Sequence, residues 1–222
     1  PDGRIGIDLL AQGGHIAALA PALPAPPGAL VIDAAGAMLS PPFVDAHFHL
    51  DATLSHGLPR VNASGTLLEG IALWGELKPT LTEEAIAARA LQYCDWAVAR
   101  GLLAIRSHVD VCDDRLLAVR ALLDVKRRVA PYLDLQLVAF PQDGLLRAPG
   151  ALANLKRALD LGVDVVGGIP HFERTAANWP QTAACRWTCT VTRVTTRCRV
   201  TSKRWPSTRS AWACRAGSRV RT

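Results

Sequence analysis

Residues 43–51 read Phe43-Val44-Asp45-Ala46-His47-Phe48-His49-Leu50-Asp51, a short apolar run that closes on two histidines one residue apart. Side chains at i and i+2 of a strand share a face, so His47 and His49 are expected to stand side by side at the strand's end. Two imidazoles so placed make half of a metal site. They also suit a plain alternative, exposed loop or satisfied core histidines, because two ligands define no coordination sphere. Pro41 and Pro42 mark the loop that enters the strand, and residues 51–59 (DATLSHGLP) the loop that leaves it.

Outward from this stretch the pattern repeats as strand, loop and helix. Thr82 is placed to cap a helix that carries Ile86, Ala90, Tyr93, Ala97 and Val98 along one face and stops at Gly101. Residues 102–111 (LLAIRSHVDV) read as the next strand, 115–129 (RLLAVRALLDVKRRV) as a helix, and 133–140 (LDLQLVAF) as a strand. Residues 151–161 then read as a helix ending at Gly162, and 163–169 as a strand. Near-continuous apolar strands alternating with amphipathic helices predict a parallel sheet with helices outside it. Polar residues choose between an open sheet and a (β/α)8 barrel. His47 and His49, His108 and Asp110, Gln142, and His171 and Glu173 all fall at the carboxyl ends of successive strands, the face where a barrel carries its site. The expected fold is therefore α/β, the first half of a (β/α)8 barrel over residues 41–175. Residues 1–40, with apolar runs at 5–10, 15–19 and 30–33 separated by turns, read as a few short strands, with His15 structural.

The chain has 222 residues and a net charge of +6, unevenly spread. Residues 176–222 hold ten Lys and Arg and no Asp or Glu, which leaves 15 basic against 19 acidic residues in the first 175, a mildly acidic body. Cys94 and Cys112 are isolated in that body and make no disulfide framework, so a cytoplasmic setting is expected. No apolar run approaches the roughly 18 residues of a membrane span. The chain opens on Pro1 rather than methionine, so its start is open.

The string PPFVDAHFHLD, followed in order by SGTLLEGIALWGELK, SHVDV, LQLVAFPQDG and DVVGGIPHFE, closely resembles the cytosine deaminase branch of the amidohydrolase superfamily from about Gly6 to Thr175. The resemblance implies a small β-sandwich contributed by residues 1–40 and one divalent metal ion, iron or zinc. His47 and His49 then fill two ligand places; a third His from an HCDE motif and a late Asp fill the others. It implies hydrolytic deamination of cytosine or a related nitrogen heterocycle, such as isoguanine, creatinine or an aminotriazine. The metal lowers the pKa of a bound water, and a Glu moves protons. Gln142 matches a substrate-binding glutamine, an amide able to donate and accept at once. Leu67 matches a pocket-lining position, although a Leu there is as readily core. His108 and His171, at strand ends, are candidates to orient the metal ligands, with a structural role at least as ready an account. The family is often homo-oligomeric, and the partner expected is a small heterocyclic molecule, with neither membrane nor nucleic acid.

After Thr175 the pattern breaks: acidic residues vanish and Thr, Arg, Cys and Trp crowd in. A basic nucleic-acid arm would suit Arg interleaved with Trp but lacks the Gly, Ser and Lys bias of such segments. A zinc knuckle from Cys185, Cys189, Cys198 and Cys214 lacks regular spacing. The third reading is an out-of-frame stretch. Joining the last base of each codon to the first two of the next makes Trp187-Thr188 encode Asp, and the following codons permit Met-His-Cys-Asp-Glu-Ser-Asp-Asp, which resembles the family's next metal motif. Residues 176–222 are therefore expected to be a disordered, frame-shifted tail. The acid/base Glu, third His and late Asp have no counterpart, so weak metal binding and no turnover are expected of the chain as written.

Overall fold

In the computed structural model the described residues are 5–169, Glu173 and, for the backbone alone, Trp187–Cys189. The amino-terminal part forms one antiparallel hairpin, β1 (Asp8–Gln12) with β2 (His15–Ala20), turning at Gly13 and Gly14, both at positive φ. The strand expected over residues 30–33 does not form. Leu30, Val31 and Ile32 are 86, 70 and 80% exposed, and no described strand lies beside them. A β-branched run becomes a strand only when another strand completes its ladder.

The main sheet is parallel, in the order β3 (Phe43–Phe48), β4 (Leu102–Asp110), β5 (Asp134–Phe140), β6 (Val165–Gly168) and β7 (Trp187–Cys189). Each strand pairs with the next in sequence, and the curled sheet is the first half of a (β/α)8 barrel, as expected. Burial rises along β4 until Ser107, His108, Val109 and Asp110 are all enclosed. The carboxyl end of that strand is therefore where polar groups are dry.

Of the four α-helices among the described residues, three follow the sequence pattern: α2 (Glu83–Val98), α3 (Leu117–Val129) and α4 (Ala151–Asp160). Thr82 caps α2 as expected, its hydroxyl accepting the Ala85 N–H at 3.2 Å. Helix α3 begins two residues later than its periodicity suggests. Leu116 lies at φ 51°, its N–H bonded to the Asp113 carbonyl, and its side chain is buried, so the turn docks Leu116 into the core before the helix starts. The remaining helix, α1 (Leu67–Leu77), runs into a 3-10 turn at Lys78–Thr80. Its start is held by Thr66, whose hydroxyl accepts the Glu69 N–H, and by Glu69, which accepts the N–H groups of Ala63 and Ser64 and pairs with Arg60. The core lies between the sheet and α2, α3 and α4, built on Ile86, Ile105, Val109, Leu122, Val125 and Leu137. No helix among the described residues is long and apolar enough to cross a membrane. The frame-shifted tail expected over residues 176–222 lies, apart from the backbone of β7, outside the described residues.

Candidate active site

Strand β3 ends at Phe48, so His47 is on the strand and His49 one step past it, and their rings meet edge to face with centroids 5.4 Å apart. The Asp45 carboxylate accepts the His47 N–H at 3.0 Å. The Ser107 hydroxyl accepts the Leu50 N–H at 2.9 Å and ties the strand's exit to β4. From α2, Arg89 donates to the carbonyls of Thr53 and Asp51. The exit loop is thus held from two sides, which fixes the direction of the two imidazoles.

The structure adds His108 from β4. Its ring lies 4.1 Å from that of His47 and 5.5 Å from that of His49, and one nitrogen from each of the three rings lies within 4.8 Å of the others. Phe140, at the end of β5, stands edge-on to both His49 and His108. All three histidines have pKa values below the ordinary 6.5. Burial depresses His47 and His49, with the neighbouring imidazole adding to it at His47 and Asp110 opposing it at His49. Burial, then the charges of His47 and His49, pushes His108 down to about 3. Neutral imidazoles are the form that binds a metal.

Beneath the histidines runs a line of buried carboxylates that sequence reasoning did not single out as a network. Asp51, 1% exposed, accepts the Asp110 N–H at 2.8 Å and the Ala52 N–H at 3.0 Å, and lies 3.9 Å from His49 Nδ1. Burial raises its pKa to about 7, against the pull of those N–H donors. Asp110 accepts from the Trp74 indole at 2.7 Å and the Cys112 N–H at 2.8 Å, and pairs with Lys78 at 2.9 Å. Lys78 also donates to Asp143 at 2.6 Å. Desolvation works against the Lys78 charge, but the two carboxylates outweigh it and lift its pKa above the ordinary lysine value. The signal for this network was available: aspartates set among apolar residues at strand ends need partners.

Gln142 and Leu67, also expected at the site, lie at the ends of their elements. Gln142 is half-buried two residues past β5, its N–H bonded to the Phe140 carbonyl at 3.0 Å. Leu67 opens α1 with 59% of its surface exposed. His171 lies outside the described residues. Glu173 is placed with its carboxylate accepting the N–H groups of Leu145 and Leu146. A cavity of about 190 Å³ between the exit loop of β3 and α1 is lined by Ser55, His56, Arg60, Asn62, Leu73 and Trp74, among others.

A parallel half-barrel with imidazoles gathered at the carboxyl ends of its first strands has the layout of a (β/α)8 fold that carries its site on that face. The chain belongs to the amidohydrolase family: the sequence model of that family matches residues 30–197. The solved 5-methylcytosine deaminase of Klebsiella pneumoniae, liganded with 5-fluorocytosine, is 45% identical, with a TM-score of 0.71 over 77% of this chain and 42% of that one. The N-isopropylammelide isopropylaminohydrolase structure from Burkholderia multivorans ATCC 17616 is 34% identical, with a TM-score of 0.64 over 74% of this chain and 41% of that one. The N-isopropylammelide isopropyl amidohydrolase of Pseudomonas sp. (strain ADP) is 34% identical over 148 residues, 64% of this chain and 37% of that protein. The chain thus spans about two fifths of the length of the relatives it matches.

The donor set fits a divalent transition ion: three neutral imidazoles converge, and His108 Nδ1 is buried without a hydrogen-bond partner. In the metal-free protein the buried neutral His108 has a consequence for stability. The folded site resists a proton that the unfolded chain accepts from pH 6.5 downward, so its contribution is complete above pH 6.5 and is lost as pH falls toward about 3. Compared with His108→Gln, the wild type is expected to lose up to about 1.4 kcal/mol per pH unit in that window. Urea unfolding at pH 7 and pH 5 measures it, and parallel losses in the two proteins would contradict the assignment.

Proposed function

We propose that this chain carries the first half of the active site of a metal-dependent deaminase acting on cytosine or a closely related nitrogen heterocycle. The convergence of His47, His49 and His108 at the carboxyl ends of β3 and β4 carries the reading. The 45% identity to a deaminase liganded with 5-fluorocytosine supports its substrate class. His47 and His49 hold the metal, iron or zinc, which when bound acidifies a water at neutral pH. The residues of the chain do the rest. Asp51 and Ser107 fix the exit of β3 and with it the direction of His49. Phe140 closes one side against water. Gln142, at the exit of β5, offers a donor and an acceptor together, the pair that a pyrimidine's ring carbonyl and ring N–H require.

The test is equilibrium binding to the zinc-loaded chain. 5-Fluorocytosine is expected to bind, and Gln142→Ala to weaken it roughly tenfold, the loss of about 1.4 kcal/mol. A second reading, hydrolysis of an N-alkylated ammelide, is favoured by the 34% identical relatives. Tighter binding of N-isopropylammelide than of the pyrimidine would move the assignment there. Binding of neither ring would overturn both.

A further inference from the structure

The Gln142 amide makes no hydrogen bond among the described residues, so what aims it is the backbone that carries it. That backbone is a tight turn. The Gly144 N–H bonds to the Pro141 carbonyl at 2.9 Å, which leaves Gln142 and Asp143 as the two central residues. We infer that Lys78, acting through Asp143, is the positioning residue for Gln142, so that the end of α1 sets where the amide stands for a bound ring. The inference rests on the pyrimidine reading and deepens it, because that reading gives the amide a task and not a placement.

Asp143 is held from two sides. Its carboxylate accepts from Lys78 Nζ at 2.6 Å, a short, charge-assisted bond. Its N–H donates to Cys112 Sγ at 3.4 Å, just past the end of β4. Lys78 is fixed in turn: it caps α1, its side chain is 14% exposed, and its ammonium lies 2.9 Å from Asp110, the last residue of β4. Trp74, one helical turn earlier, donates to the same Asp110 oxygen at 2.7 Å. Helix α1 is thereby pinned to the end of β4, and the turn after β5 is pinned to α1. The helix that opens on Leu67 and the turn that carries Gln142 share one ammonium.

The plain alternative is that Lys78 serves only to neutralise the buried Asp110. That task needs one bond. The Asp143 side chain is 38% exposed, so water can serve its carboxylate, and an ion pair at such a place adds little stability. Yet the ammonium stands closer to Asp143 than to Asp110. What the second bond supplies is direction, which counts most for a group that must meet a ligand in one geometry. The far side of the loop is held separately by Glu173, which accepts the Leu145 and Leu146 N–H groups. Gln142 and Asp143 are the part left to Lys78 and Cys112.

The test is Asp143→Ala in the complete, zinc-loaded 222-residue chain. Lys78 keeps its pair with Asp110, and the N–H bonded to Cys112 is untouched, so the variant isolates the carboxylate's bond to the ammonium. The urea midpoint should stay close to wild type. The Kd for 5-fluorocytosine should rise roughly fivefold, within the tenfold expected for Gln142→Ala. In a Gln142→Ala background Asp143→Ala should cost no further affinity, a coupling that a merely structural carboxylate would not show. Asp143→Glu, which keeps a carboxylate within reach of the ammonium, should restore most of the binding. In the ligand-free protein the Gln142 side-chain NH2 resonances should shift in Asp143→Ala and return in Asp143→Glu. Additive losses in the double variant, or Gln142 resonances unmoved by Asp143→Ala, would overturn the positioning role and leave the pyrimidine reading intact. A wild type that binds no ring would overturn that reading, with the resonances still deciding whether Lys78 places Gln142.

Discussion

Replacing Lys78 with methionine is expected to destabilise the protein by about 3 kcal/mol, read as a lower urea midpoint at unchanged slope. Methionine preserves most of the aliphatic length, so the change isolates the ammonium. Asp110 is 3% exposed and lies 2.9 Å from that ammonium. Without it the carboxylate keeps the Trp74 indole and the Cys112 N–H but loses the one cation paired with it among the described residues. A buried charge stripped of its partner is costly, whereas removing both charges is often close to neutral. Lys78→Met with Asp110→Asn should accordingly lose less than the two single losses added together. The site should feel the change as well, because the Asp110 N–H is what holds the Asp51 carboxylate beneath His49. A loss under about 1 kcal/mol for Lys78→Met would mean that the neutral donors satisfy Asp110 by themselves.

Alanine at Gly167 is expected to cost at least about 2 kcal/mol, at the upper side of what overpacking typically does. A Cβ there would stand 2.6 Å from Val138 Cγ1, 3.0 Å from the Ala139 carbonyl oxygen and 3.4 Å from the Phe140 ring. One of those neighbours is backbone and the other two are packed side chains, so the strands must part. Phe140 is also the ring that stands edge-on to His49 and His108. The substitution should therefore shift the imidazole resonances of those two histidines as well as the unfolding midpoint. An unchanged midpoint, or a fall with the histidine resonances unmoved, would separate the strand contact from the site.

Where periodicity is strong, the sequence expectations and the structure coincide to within two residues. The helix over Leu117–Val129 carries its apolar residues on one clear face, and β4 and β5 are unbroken apolar runs. Helix α1 was not legible as a helix, for a local reason: Gly70 and Gly75 interrupt LLEGIALWGEL, each costing about 1 kcal/mol of helix propensity. Its stability comes from the Arg60, Ser64 and Glu69 bonds at its start and from Trp74 and Lys78 at its end, all made to residues distant in sequence or set by loop geometry. Residues 30–33 failed in the opposite direction, with strong β propensity and no described strand to pair with. His47 and His49 were legible as a pair because two positions along one strand fix their separation. The proximity of His108 was not, because it depends on how β3 and β4 align. That register is irregular between Asp45 and Phe48, and no local pattern encodes it.

The bonds between β3 and β4 have a bearing on how the fold is held together. His47, His49 and His108 lie within about sixty positions of one another, at the ends of strands that pair directly. Closing a loop of that length costs only slightly more entropy than closing a short one. An ion captured there at a hundredfold excess over its dissociation constant adds about 2.7 kcal/mol to whatever already joins those strands. Such an ion would act as a clasp between the two strands that open the half-barrel.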